Sequence, residues 1–122
     1  MKVLFIDDDS VSLECLSNAL RLNGHSVQAF SSIESAFRDY SPGSVDMVIS
    51  DYHFPSGTGY DVITTIHKIT PEIPVIIISG DPEKDVENRC RQAGAYAFFK
   101  KPLSISKLLD KMSDFAHSSP HQ

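Results

Sequence analysis

Short apolar runs that stop abruptly on polar residues alternate along this chain with longer stretches of helical spacing. The runs are Val3–Ile6, Ser26–Phe30, Val45–Ser50, Pro74–Ile78 and Tyr96–Phe99. Their length and their lack of polar alternation suit strands buried on both faces, as in a parallel sheet. Between them, apolar residues recur every three or four positions, which predicts five amphipathic helices. The first runs from Val11 to Leu22, capped by Ser10 or Asp9, with Leu13, Leu16 and Leu20 inward and Asn23-Gly24 as its stop. Ser31-Ser32 caps a second through Tyr40, with Ile33, Ala36 and Phe37 inward. Thr58 or Gly59 opens a third that ends near Ile69 and carries Val62, Ile63 and Ile66. Asp81-Pro82 is a strong start for a fourth, with an Asp cap and a Pro where its missing N–H costs nothing. That helix reaches Ala93 on a thin apolar stripe of Val86, Cys90 and Ala93. Ser104 caps a fifth through Phe115 or Ala116, with Ile105, Leu108, Leu109 and Met112 inward.

Five strand–helix repeats imply an α/β fold: a parallel five-stranded sheet with helices on both faces, a doubly wound (βα)5 three-layer sandwich. One domain is expected over residues 1–117, followed by a polar tail at 118–122. The chain has 122 residues, enough for one substantial core. A net charge of −5 supplies no basic field for nucleic acid or an anionic membrane. No apolar run approaches the ~20 residues of a membrane span. Met1-Lys2 leads straight into a strand with no room for a signal peptide, so a cytoplasmic location is expected. Cys15 and Cys90 lack metal-ligand or redox spacing and are read as small residues, buried or half-buried.

Candidate chemistry sits where the strands end. The first ends on Asp7-Asp8-Asp9, the third on Asp51, the fourth on Ser79-Gly80 and the fifth on Lys100-Lys101-Pro102. In open α/β sheets ligands bind beyond the carboxyl ends of the strands, so these groups face one crevice. Carboxylates packed together repel unless a cation joins them, and hard oxygen ligands with a few waters suit Mg²⁺. A lysine and a hydroxyl beside such a cluster are the groups one would place around a phosphoryl oxygen. Lys100 falls on the opposite face of its strand and reads as a solvated lysine.

These residues, in this order, resemble a response-regulator receiver domain of two-component signalling, of the chemotaxis-response-regulator type, over nearly the whole chain. The match comprises Asp7-Asp8, Asp51, Pro55 and Gly59 beyond it, Ser79-Gly80 and Lys101-Pro102. The resemblance implies a flavodoxin-like sheet of order 2-1-3-4-5. It implies that Asp51 accepts a phosphoryl group from a sensor histidine kinase or phosphotransfer protein. It further implies that Asp8, Asp51 and the backbone carbonyl of His53 ligate Mg²⁺, with Asp7 acting through water. Ser79 would bond the phosphoryl group and Lys101 would pair with the acceptor. Phe98 holds the place of the family's switching aromatic, without the hydroxyl of a Tyr there. A phosphoprotein switch, not an enzyme beyond its own phosphorylation and dephosphorylation, would then act on an output partner or domain, or form a homodimer, through the fourth helix, fifth strand and fifth helix. The side chain of His53 is expected at the mouth of the site, within reach of Asp81. A rival resemblance exists: Asp7-Asp8-Asp9-Ser10-Val11 echoes the nucleophile motif of haloacid-dehalogenase-like phosphatases, with Asp7 as nucleophile and Asp9 as general acid. In that family the second acidic motif follows the lysine, whereas here it precedes it, and Asp51 would have no role.

Overall fold

The computed structural model describes residues 1–80 and 84–117. Its elements run β1 (Lys2–Ile6), α1 (Ser10–Leu22), β2 (Ser26–Phe30), α2 (Ile33–Arg38), β3 (Met47–Asp51), β4 (His53–Phe54), β5 (Gly57–Thr58), α3 (Gly59–Ile69), β6 (Val75–Ser79), α4 (Lys84–Gln92), β7 (Ala97–Lys100) and α5 (Ile105–His117). The main sheet is parallel throughout, in the order β2-β1-β3-β6-β7. Counted without the two-residue strands β4 and β5, this is the expected 2-1-3-4-5 order. Its chain reversal lies between β1 and β3, which both run their carboxyl ends to the same edge.

Period-2 alternation divides each strand between two cores. Val3 and Phe5 of β1, Met47 and Ile49 of β3, and Ile76 and Ile78 of β6 pack with Leu16 and Leu20 of α1 and Leu108 and Met112 of α5. Leu4 and Ile6, Val48, and Val75 and Ile77 pack on the other side with Ala36 of α2, Val62, Ile63 and Ile66 of α3, and Val86 and Cys90 of α4. The continuous apolar runs of the sequence are therefore strands covered on both faces. Among the described residues of α4, only Val86 and Cys90 are buried, so its packing stripe is as thin as expected.

Several local expectations need correction. Of the two caps expected before α1, Asp9 serves and Ser10 does not: the Asp9 Oδ1 accepts from the N–H of Val11 at 3.0 Å. The second helix ends at Arg38 rather than Tyr40. Tyr40 instead hydrogen-bonds Thr70 at the end of α3, and its ring meets Phe37 edge-on. The stretch after Asp51 is a small antiparallel hairpin, β4 with β5, turning at Pro55-Ser56. Ser56 Oγ donates to Glu34 on α2, and the Thr58 N–H donates to Asp61 Oδ2 at 2.9 Å, so the hairpin is tied to two helices. Cys15 is exposed on α1, whereas Cys90 is buried. The expected Asp81-Pro82 cap and the 118–122 tail lie outside the described residues, as does Asp81 as a neighbour for His53.

Gly59 shows why the chain can turn so tightly from the end of β3 into α3. Its N–H donates to Tyr52 O at 2.7 Å. A Cβ added there would stand 2.9 Å from Ile77 Cδ1 and 3.3 Å from both Asp51 O and Tyr52 Cα. Ala is the better helix former by about 1 kcal/mol, yet here it must displace backbone. We expect Gly59→Ala to destabilise the fold by roughly 1–3 kcal/mol, read as a lowered denaturant midpoint. An unchanged midpoint would show that the strand end can move aside at no cost.

Candidate functional site

The site forms where β1, β3, β6 and β7 end side by side. Register brings Asp51 opposite Ile78 and Ser79 opposite Lys100. Beyond the last ladder pairs, the backbone stays bonded: Tyr52 N–H donates to Ile78 O at 2.9 Å and Lys101 N–H to Ser79 O at 2.9 Å. The Asp7 N–H donates to Phe30 O at 3.0 Å, which holds the β1 end against β2. Each reactive side chain thus leaves from a backbone already fixed in the sheet.

Asp51 is buried and its Oδ1 lies 3.2 Å from Lys101 Nζ. The lysine reaches in from an exposed loop, just before a cis Lys101–Pro102 peptide. Carboxylate oxygens of Asp7, Asp8 and Asp51 all lie within 4.8 Å of one another. Asp7 is buried and Asp8 exposed, so the cluster runs from the sheet edge outward to solvent. Asp7 Oδ1 accepts from the Asp9 N–H at 2.9 Å, while Asp9 itself turns away to cap α1. Ser79 is fully buried at the end of β6. Ser50 donates its hydroxyl to the carbonyl oxygen of the adjacent Asp51 at 2.8 Å and stiffens the strand end. His53 is exposed on β4, its ring edge-on to Tyr52 at 4.9 Å between centroids. Phe98 is buried against the α4 side of the sheet, and Lys100 is exposed, as the alternation required.

Burial, with charge crowding added to it, is legible in Asp7, whose pKa rises from 3.8 to about 6. Burial is the main cause; the Asp9 N–H opposes it, the Asp51 carboxylate adds to it, Lys101 opposes, and Asp8 adds. Three convergent carboxylates, one of them reluctant to ionise alone, fit a small divalent cation that takes oxygen ligands and keeps several waters. Among the described residues no other group of His, Cys, Asp and Glu has such geometry. The sequence anticipated these positions; it missed Ser50, whose single signal was a polar residue inside an apolar strand.

Comparison with known proteins is consistent across sequence and structure. The family profile of the response regulator receiver domain matches residues 3–113. The response regulator protein TodT of Pseudomonas putida is 32% identical over 120 residues, covering 98% of this chain and 53% of TodT. The sensory/regulatory protein RpfC of Xanthomonas campestris is 31% identical over 123 residues, covering 98% of this chain and 17% of RpfC. The chain therefore spans about half of one relative and a small part of the other. A crystal structure of a response regulator receiver domain from Clostridium thermocellum superposes with a TM-score of 0.88 at 31% identity, covering 93% of this chain and 91% of that one. The phosphatase alternative finds no support here. Its required general acid, Asp9, spends its carboxylate on the N-terminus of α1, and Asp51 stands at the centre of the site.

The shift at Asp7 carries a sign. A carboxyl whose pKa is raised on folding binds its proton more tightly in the native state. Its ionisation therefore costs stability, nothing below about pH 3.8, increasingly up to about 6, and fully above that. In metal-free buffer at pH 7.5, we expect Asp7→Asn to stabilise the chain by roughly 1–3 kcal/mol. At pH 4 the gain should largely vanish. Urea unfolding of both proteins at the two pH values checks this, and a pH-independent difference would contradict the raised pKa of Asp7.

Proposed function

The chain belongs to the response-regulator receiver family, and on that premise we propose that it is a phosphorylation-dependent switch whose acceptor is Asp51. The observation that carries this reading is the buried Asp51 carboxylate, 3.2 Å from Lys101 Nζ and grouped with Asp7 and Asp8 at the carboxyl edge of a parallel sheet.

A carboxylate is a weak nucleophile towards a stable phosphate ester but an adequate one towards phosphohistidine, whose P–N bond is labile. In the proposed reaction an Asp51 oxygen attacks phosphorus in line, the P–N bond breaks, and the imidazole leaves with a proton. Little covalent chemistry falls to the protein, so positioning and charge stabilisation dominate. Asp8, Asp51 and the backbone carbonyl of His53 would hold Mg²⁺ directly, with Asp7 through water. Bound there, the ion would neutralise charge growing on the phosphoryl oxygens. Lys101 exchanges its pairing with the Asp51 carboxylate for one with the phosphoryl group. Ser79 donates its hydroxyl to the same group from the adjacent strand end.

The output is a shift between two conformations that the phosphoryl group biases. Ser79 drawn toward phosphate would open space on the sheet, and Phe98, on the same face as the core beneath α4, would move into it. The helix it underlies is held by little apolar contact, which makes α4 the element easiest to displace. We assign the face of α4, β7 and α5 to the output partner or to a second copy of the chain. The donor would be a sensor histidine kinase or phosphotransfer protein, and the site of action the cytoplasm. Among the described residues no helix is long and apolar enough to cross a membrane.

Incubation with Mg²⁺ and acetyl phosphate should add one phosphoryl group, and Asp51→Asn should abolish it. Labelling that survives Asp51→Asn but is lost in Asp7→Asn would move the acceptor to Asp7 and overturn the assignment. Hydrogen exchange of the phosphorylated chain should change most in α4, β7 and α5. Changes confined to α1 and α2 would place the output surface elsewhere.

A further inference from the structure

Beside the acid cluster, and outside the reaction proposed above, lies a cleft of about 350 Å³ between α1 and the loop joining β7 to α5. Its walls are mostly apolar, with Leu16 of α1, Ile78 of β6 and Leu103 of the loop among them. Two charged residues border it, Asp7 and Lys101, and these also belong to the acid site. The cleft and the acid site therefore share Asp7 and Lys101, which gives the cleft an apolar end and a charged end. That combination, an apolar cavity with a few convergent polar groups, is the ordinary form of a small-molecule site.

The charged end selects the sign of an occupant. The ammonium of Lys101 is already paired with Asp51. Asp7 is the one acid on the cleft wall, and the carboxylates of Asp8 and Asp51 stand within 4.8 Å of its own, so three acids near this end outnumber one lysine. A positive head is attracted there, whereas a negative head meets the cluster's repulsion. We propose that the cleft binds a compact amphipathic amine, its apolar body between α1 and Leu103 and its ammonium against Asp7. Such an occupant competes with a divalent cation for the same carboxylates. It would hold the chain in its unphosphorylated form without touching an output face. The inference does not depend on Asp51 being the acceptor, because binding is read on the unphosphorylated chain.

The probe is 4-phenylbutylamine, compared with the alcohol and the carboxylic acid of the same skeleton. The amine should bind saturably, with amide shifts on α1 and residues 101–105. Millimolar Mg²⁺ should raise its apparent Kd several-fold, the alcohol should bind about tenfold more weakly, which is the scale of one lost ion pair, and the acid not measurably. Ala19 also lines the cleft and takes no part in the acid site, so Ala19→Phe should remove amine binding and leave Mg²⁺ affinity unchanged. A readout without substitution comes from Cys15, exposed on α1 and on the cleft wall. Cys90 is buried with its thiol pKa pushed up by burial, so a maleimide should label Cys15 selectively. Saturating amine should slow that labelling at least fivefold. Absence of saturable binding, indifference to Mg²⁺, unprotected Cys15, or acid binding equal to amine binding would each overturn the proposal.

Discussion

Everything at the working edge of this molecule depends on holding like charges closer than they would choose. Asp7 and Asp51 are both buried, and their oxygens come within 4.8 Å. At an effective dielectric of about 20, two full charges at that separation repel by roughly 3 kcal/mol. The fold resists this in two ways. Lys101 lies against Asp51, and Asp7 retains a proton more readily than a free carboxyl. Neither answer is complete, and the remaining excess of negative charge is of the sign that a cation would offset.

Such crowding needs rigid supports, and the parallel sheet provides them. Ladder bonds run up to the residues that bear the charges, and single backbone bonds continue past them at Tyr52 and Lys101. The core beneath is covered on both faces, so the strands cannot tilt to relieve repulsion without opening a cavity. Gly59 completes the arrangement by letting the chain leave β3 within van der Waals contact of its own backbone.

How much of this could be read from residues alone follows from the physics of each signal. Strands covered on both faces write themselves as unbroken apolar runs, so the sheet and its four crossovers were legible. The charged strand ends were legible because topology brings them together whatever the side chains do. Failures came where a residue satisfied a local pattern for a different reason. Tyr40 continues the spacing of α2, yet packs after the helix has ended, through its hydroxyl on Thr70 and its ring on Phe37. Cys15 lies beside the inward Leu16 but faces the cleft rather than the core. The β4–β5 hairpin is too short for any periodicity, and its stability comes from ties to Glu34 and Asp61 that are distant in kind from a strand signal. Ion pairing between Asp51 and Lys101 could be expected as a juxtaposition, but its 3.2 Å closeness belongs to the folded chain.

The backbone bond from Lys101 to Ser79 has a consequence for timing. Because the ends of β6 and β7 are bolted together, neither strand can slide to register a change at the site. In the proposed switch, what moves is limited to side-chain rotation and to the lightly packed α4. Rotamer changes take nanoseconds and helix shifts microseconds to milliseconds. The mechanical answer then follows the chemical event almost at once and lasts as long as it does. Memory in such a device would reside in a covalent bond at the proposed acceptor, and the clock that erases it would be hydrolysis.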